Sequence, residues 1–506
     1  MAQDFRQFVE ALEKCGELIR IHSEVDPHNF EVSALMRHEE DGPNRAMLFE
    51  KLKGYQMAVV AHPYASIKRL AIALGIEPTS EDVERYRRDP AGSAGGWAGC
   101  TVDAYTWTDE ERAMAIMVKD TILRADEEAS RGKYIPQIVA SGTCQEVVIT
   151  KDIDVRATLP TPWLCEKDAA PFITPGVLVK RDPDTGILDI GIHRNQVAYK
   201  NYGKDKIGVL LSDHSDGFRI QQKYEARGER CEVALCLGPE PSVQIMAAYT
   251  SPHLLLSPAY SEFAGAGALV GEPVKMVKCK TVDLEAPAST EIVVEGYIPA
   301  NERIEEGPMA EYPDYYSQTG PLTFIQVTAI THRLDPLYHA LMSGGSREHL
   351  TLGGITSIGF AQNVLVKVRR LFPTVKDVAF AGGSRLSHLV VSLKKRYEGE
   401  ERSLLHYLVG TSYHRYITIV DDDIDPHDDE MVEWARNTRA GHNADDFVIF
   451  PRSRTHNLDP EQDKDRLGTK LGILATVPFG EKYERSGPPQ SMLEQTRALY
   501  EREARP

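Results

Sequence analysis

From roughly residue 135 to residue 334 the chain is a succession of short apolar or alternating runs broken by turn residues. No other feature restricts its fold as strongly. The runs are QEVVIT, GVLVKRDPDTGILDIGIHRNQVAYK, IGVLLSD, CEVALCLG, SVQIMAAYT, TEIVVEGYI and FIQVTAITHRLD. Strands this short and this evenly spaced, with DPDTG as a hairpin turn, must bury a face against one another, which predicts a mainly antiparallel barrel or sandwich. Cys231 and Cys236 lie five apart on one run. Period-2 alternation sends their sulfurs to opposite faces, so core positions are expected rather than a shared ion.

On either side of this stretch, helix and strand patterns alternate. Phe5, Phe8, Val9 and Leu12 have helical spacing, with Gly16 as the stop. A short helix is expected over Ser66 to Leu74, and Thr108 with Glu111 forms a capping box that opens a long one. Between them DPAGSAGGWAG reads as a mobile surface loop, because no strand-to-helix context makes it a phosphate cradle. After residue 335, VKVRRLFPTVKDVAFA and HRYITIVDDDIDPHDDEMVEWARNTR are the clearest helix and strand units. The acidic VDDDIDPHDDE lacks the glycine and closing glutamate of a calcium loop, so it is a strand end followed by the acidic start of a helix carrying Val432 and Ala435.

At 506 residues the chain exceeds a single core. The expected architecture is multidomain α/β: an N-terminal α/β domain over 1–130, the central β domain over 131–334, a C-terminal α/β domain over 335–480 and a polar tail over 481–506. A net charge of -17 without a long Lys/Arg run repels nucleic acid and anionic membranes. Seven cysteines without a C-x-x-C pair, no signal-length apolar run and no spanning segment predict a soluble, cytoplasmic protein.

Several stretches carry candidate chemistry. In RIEEGPMAEYPDYY, Glu306 and Glu311 flank Gly307-Pro308, and the proline excludes a helix interior or a central strand. Such a loop can fold two carboxylates toward one point for acid/base work, or leave both solvated. In ILDIGIHRNQVAYK, period 2 sets Asp189, Gly191 and His193 on one face and Ile190, Ile192 and Arg194 on the other. An arginine among isoleucines either snorkels or grips a carboxylate through its planar fork. His214 at a strand end and Glu262 before a run of small residues make, with Asp189, an oxygen and imidazole set suited to Mn²⁺ or Mg²⁺, although their spacing matches no local chelate. Lys470, between Gly468 and Gly472, is placed either to approach a phosphate or to sit at a surface turn, and His349 and His388, after glycine-rich turns, either line a pocket or cap an element.

Taken in order, DIGIHRNQ, SDH, SEFAGAGAL, STEIVVEGYI with EEGPMAEYPDYY, VDDDID and LGTKLGI resemble the UbiD family of reversible decarboxylases that use prenylated flavin mononucleotide. The likeness runs over almost the whole chain. It implies a split-barrel-like, flavin-binding central domain and a C-terminal domain that oligomerises. It also implies that Arg194, Glu306 and Glu311 are the catalytic set, while Asp189, His214 and Glu262 hold Mn²⁺ or Mg²⁺ on the cofactor phosphate. Lys470 would reach that phosphate, Ile192, His193, Arg194 and Asp213 would also line the cofactor, and K⁺ would lie nearby. In the implied reaction the flavin is the electron sink while CO₂ leaves, and Arg194 pairs with the substrate carboxylate or Glu306. Glu311 returns the proton, a role that needs a partly buried, protonated acid.

The same resemblance implies a flavin prenyltransferase that supplies the cofactor and a dimeric or hexameric assembly. REHLTLGG and MAEYPDYY are most similar to the branch acting on phenolic acids such as protocatechuate or 4-hydroxybenzoate, which makes His349 the candidate for a ring hydroxyl. Asp189 stands where many members have asparagine, and Asp314 lies near where many have glycine. Other readings are a decarboxylase of polycyclic, N-heteroaryl or α,β-unsaturated acids, a non-catalytic scaffold subunit of a multi-component carboxylase, and a metal hydrolase built on Asp189, His214 and Glu262.

Overall fold

The computed structural model describes residues 3–88, 97, 107–197, 202–213, 215–253, 260–441, 443–456, 458–463 and 465–503. The helical spacing at the N-terminus forms the Phe5–Lys14 helix, capped by Asp4 and stopped at Gly16, with Phe5, Phe8, Val9 and Leu12 all buried. Ser66 caps the Ile67–Leu74 helix, and the Thr108–Glu111 box opens the Asp109–Ser130 helix. These helices pack against a four-stranded sheet in the order Leu18–Ile21, Ala46–Phe49, Ala58–Ala61, Leu337–Ala340. Its last strand comes from beyond residue 334, so the chain returns to complete the N-terminal sheet after passing through the central domain.

The central domain is a ten-stranded, antiparallel sheet. Along its main path the order is Phe172–Ile173, Asn195–Val197, Lys206–Val209, Gly320–His332, Ile292–Ile298, Cys231–Leu237, Val177–Arg181, Leu188–Ile192, while Ile304–Glu306 and Val147–Ile149 pair alongside Gly320–His332. The expected barrel is not formed, because the path is open. Yet Leu188–Ile192 lies at one end of this path and Asn195–Val197 next to the other, and only His193 and Arg194 join them. Three Cα steps of 3.8 Å each limit how far apart those strands can be, so the sheet curls until its two margins nearly meet. Arg194 sits in the gap, outside the strand that the alternation assigned to it.

SVQIMAAYT, expected as a strand, is instead the Pro241–Ala248 helix. Proline at the first helical position starts it, and burial on almost every side removes the periodicity that would have shown it. The glycine-rich 89–99 stretch lies outside the described residues except for Trp97, which is buried and donates from Nε1 to the Ala115 carbonyl at 3.0 Å. Its ring packs against Gly354, where a Cβ would come within 2.6 Å.

The C-terminal domain is a five-stranded mixed sheet, ordered Val375–Phe380, His388–Leu393, Tyr416–Asp421, Leu467–Ala475, Phe447–Arg454, with the Arg347–Arg369 helix leading into it. The acidic run ends the Tyr416–Asp421 strand and starts the Asp429–Arg439 helix, with Val432 and Ala435 buried as expected. Arg439 neutralises part of that run, contacting Asp421 at 2.7 Å and Asp423 at 2.6 Å. Cys231 and Cys236 are buried, free core residues. Among the described residues no helix is long and apolar enough to cross a membrane.

Candidate active site

The gap between the sheet margins puts the Arg194 guanidinium beside the 306–317 loop. Nη2 donates to Glu306 Oε2 at 2.7 Å, and Nη1 donates to Ser317 Oγ at 3.1 Å and contacts Glu311 Oε1. All three side chains are nearly removed from solvent, Glu306 completely. Burial raises the Glu306 pKa, and the adjacent Arg194 opposes that rise. Arg194 Nε and Glu306 Oε1 are buried without hydrogen-bond partners, so the cluster presents both a donor and an acceptor to whatever binds there.

The loop is fixed by contacts that the sequence did not disclose. Gly307 N donates to Gln196 Oε1 at 2.7 Å, and Met309 N donates to Ser317 Oγ at 3.1 Å. Asp168 accepts from Ala310 N at 2.8 Å and from Cys165 N at 3.1 Å, and the neighbouring Ala169 N donates to the Pro308 carbonyl at 2.8 Å. Burial pushes the Asp168 carboxyl up to about 6. The loop then turns at Asp314, whose φ of 72° is a conformation that favours glycine, and Asp314 accepts from Gly345 N at 3.0 Å.

His349 meets this loop through Tyr312, ring edge to face at 5.2 Å and 75°. Its Nδ1 lies 3.0 Å from the Gly344 carbonyl, which can only accept, so Nδ1 carries the proton. Burial lowers its pKa to about 4, so the ring is neutral near pH 7 and its Nε2 is an acceptor. From the C-terminal domain, Arg385 Nη1 donates to the Tyr312 carbonyl at 2.9 Å.

At the other end of the Leu188–Ile192 strand, Asp189 and Glu262 are both buried; burial raises both pKa values, Asp189 adds to the rise at Glu262, and Lys180 opposes the rise at Asp189. Glu262 heads the Glu262–Val270 helix behind its Ser261 cap. His193 folds back toward Gly191 and Gly217, and burial, with Lys180 nearby, holds its pKa well below the ordinary value. Ile192 pairs with Val177 across the hairpin.

Asp213 is engaged by Arg454 of the C-terminal domain. Lys470 is buried and donates to the Val409 and Ser412 carbonyls at the end of the Glu400–Thr411 helix, and burial lowers its pKa to about 8. His388 Nε2 lies 2.8 Å from Thr418 Oγ1 in the C-terminal sheet. His214 lies outside the described residues, among which no group of three His, Cys, Asp or Glu side chains is arranged to hold a metal. Asp189 is instead in contact with a residue that sequence reading passed over: Lys180 Nζ lies 3.1 Å from its Oδ2, and Lys180 is entirely buried.

A long, polar-ended cofactor fits this layout, with unpaired buried polar atoms at both ends: Glu262 Oε2 at one, Arg194 Nε and Glu306 Oε1 at the other. A divalent ion on Asp189 fits less well, because an ammonium already occupies that carboxylate.

The chain belongs to the UbiD family of carboxy-lyases, as matches along most of its length show. Residues 137–346 match the 3-octaprenyl-4-hydroxybenzoate carboxy-lyase Rift-related domain, residues 9–88 its N-terminal domain and residues 355–475 its C-terminal domain. An uncharacterized protein of Archaeoglobus fulgidus is 32% identical, over 96% of this chain and 94% of its own. The UbiD-class enzyme HmfF from Pelotomaculum thermopropionicum, solved in complex with FMN, is 32% identical with a TM-score of 0.72, covering 98% of this chain and 100% of its own. Vanillic acid decarboxylase of Sedimentibacter hydroxybenzoicus in its closed form is 26% identical with a TM-score of 0.80, and each chain is covered completely, at 100%.

Proposed function

We propose that this protein catalyses the reversible, non-oxidative decarboxylation of an aromatic or heteroaromatic carboxylic acid with prenylated FMN, and that phenolic acids of the protocatechuate or 4-hydroxybenzoate type are its preferred class. The observation that carries the reading is Arg194 held between Glu306 and Glu311. When bound, the flavin supplies the electron sink. The rest is the work of this chain's own side chains. Arg194 pairs with the substrate carboxylate, and Glu306 keeps the guanidinium in place by accepting from Nη2.

As the bond to CO₂ breaks, the ring carbon needs one proton. Glu311 provides it and becomes a carboxylate whose new charge faces Arg194 Nη1. Burial keeps water out of the cluster, which strengthens each of these interactions. For the phenolic preference the supporting feature is His349: a neutral imidazole with Nδ1 committed to Gly344 offers Nε2 to a ring hydroxyl. The vanillic acid decarboxylase likeness agrees with that class. The divalent ion and K⁺ implied by the sequence resemblance would have to share the Asp189 end with Lys180.

The test is to co-produce the protein with a flavin prenyltransferase and measure CO₂ release from a panel of phenolic, polycyclic, N-heteroaryl and α,β-unsaturated acids. Release from the phenolic acids first is the expected result. A flavin-loaded protein inert toward the whole panel would sink the reading.

A further inference from the structure

Lys180 and Asp189 face each other across the Val177–Arg181 and Leu188–Ile192 hairpin, in direct register. Lys180 has no solvent-exposed surface, and its Nζ, 3.1 Å from Asp189 Oδ2, has no well-formed hydrogen bond. Over it closes the first turn of the Asp216–Arg227 helix. A Cβ at Gly217 would come within 2.8 Å of Nζ and 3.3 Å of His193 Nε2, so any larger residue there would have to push the ammonium aside. Glu262 Oε2 is likewise buried without a partner. A fully buried ammonium paired with Asp189, the unpartnered Glu262 oxygen and a helix N-terminus therefore lie close enough to interact. A helix start and an ammonium both favour an anion there.

We propose that Lys180 is a resident cation of this site: its ammonium, held on Asp189, does the charge-neutralising work that a divalent ion coordinated by Asp189 would otherwise do. The flavin phosphate is then retained without a stoichiometric divalent ion. This rests on the flavin reading above. The physical argument is exclusion. A divalent ion on Asp189 must displace the ammonium from its contact, and a lysine on a buried strand has no solvent to retreat into; left nearby, it repels the incoming ion at low dielectric. The pairing also accounts for aspartate at this position, since a buried lysine next to asparagine would carry an uncompensated charge.

The experiment loads the full-length protein with FMN, dialyses it exhaustively against a chelator, and measures flavin per protein by absorbance and divalent metal by elemental analysis. Wild type is expected to keep its flavin while holding well under one divalent ion per flavin. Lys180→Met should bind FMN about 10- to 100-fold more weakly after chelation, the loss of one charge-assisted contact, and should recover with added Mn²⁺ now that Asp189 is free. Because that variant buries an unpaired carboxylate, the double change Lys180→Thr with Asp189→Asn, which leaves no buried charge unpaired, is measured beside it and should show the same loss on chelation.

The proposal is overturned if wild type carries one divalent ion per flavin and releases its flavin on chelation. It is equally overturned if the double variant stays resistant to the chelator. A wild type that binds no flavin with or without Mn²⁺ would overturn the flavin reading itself, and this proposal with it.

Discussion

Arg194 and Glu306 are 112 positions apart in sequence and 2.7 Å apart in space, and the glutamate of the pair has no exposure to solvent. Removing one partner of such a pair leaves a buried charge alone. Arg194→Ala should therefore lower unfolding free energy by about 3–5 kcal/mol, read by denaturant unfolding, in addition to abolishing turnover. A stability loss within ordinary surface-mutation range would mean that Glu306 is neutral in the resting protein.

Glu306→Gln and Glu311→Gln should fail differently. Glu311→Gln keeps the shape and removes the transferable proton, so decarboxylation should fall by roughly 10²- to 10⁴-fold while flavin binding survives. Exchange of the product ring proton in D₂O, followed by NMR, reports the proton step directly. Exchange and CO₂ release at wild-type rates in Glu311→Gln would place the donor elsewhere, with Glu306 next in line. Glu306→Gln should slow turnover chiefly by loosening Arg194, seen as a higher KM for the acid.

The His349 ring should titrate near pH 4 in an NMR experiment, and KM for a phenolic acid should be flat between pH 6 and 8. The sign of its stability contribution follows. The folded pKa of about 4 lies below the ordinary 6.5, so the unfolded chain binds more protons in between, and this group's contribution to stability is lost as pH falls from 6.5 through 4. His349→Gln should remove that part of the acid sensitivity. A ring titrating near 6.5 in the folded protein would contradict the buried, neutral assignment.

The tail helix Gln490–Glu503 presents Met492, Leu493, Leu499 and Tyr500 on one side, and they are 47%, 48%, 50% and 73% exposed. We expect a homo-oligomer in which this stripe is covered by a neighbouring copy. Light scattering should return a dimer or larger, and truncation after residue 480 should weaken it. A monomer mass for the full chain at micromolar concentration would reject this.

Much of this was legible before folding. Phe5, Phe8, Val9 and Leu12 announced their helix, Thr108 and Glu111 announced theirs, and the resemblance grouped Arg194, Glu306 and Glu311, which the fold brings into contact. What stayed hidden has a common cause. Lys180, Asp168, Gln196 and Ser317 act only through partners brought to them by sheet register or loop path, and nothing about a lysine in GVLVKRDP says that it will face Asp189. SVQIMAAYT misled for the opposite reason, since a helix buried all round has no polar face to betray it. Asp314 was marked as unusual from the resemblance, and its positive φ is why.

A sheet that curls to within two residues of closure, without pairing there, behaves like a tube slit along its length. Hydrogen-bonded ladders resist shear between neighbouring strands everywhere except across the slit, where only covalent chain and side chains hold. That unladdered seam runs beside Arg194. Arg194 therefore stands where the two margins are joined by chain and side chains alone, and its contacts with Glu306 and Glu311 are among the ties that span the slit.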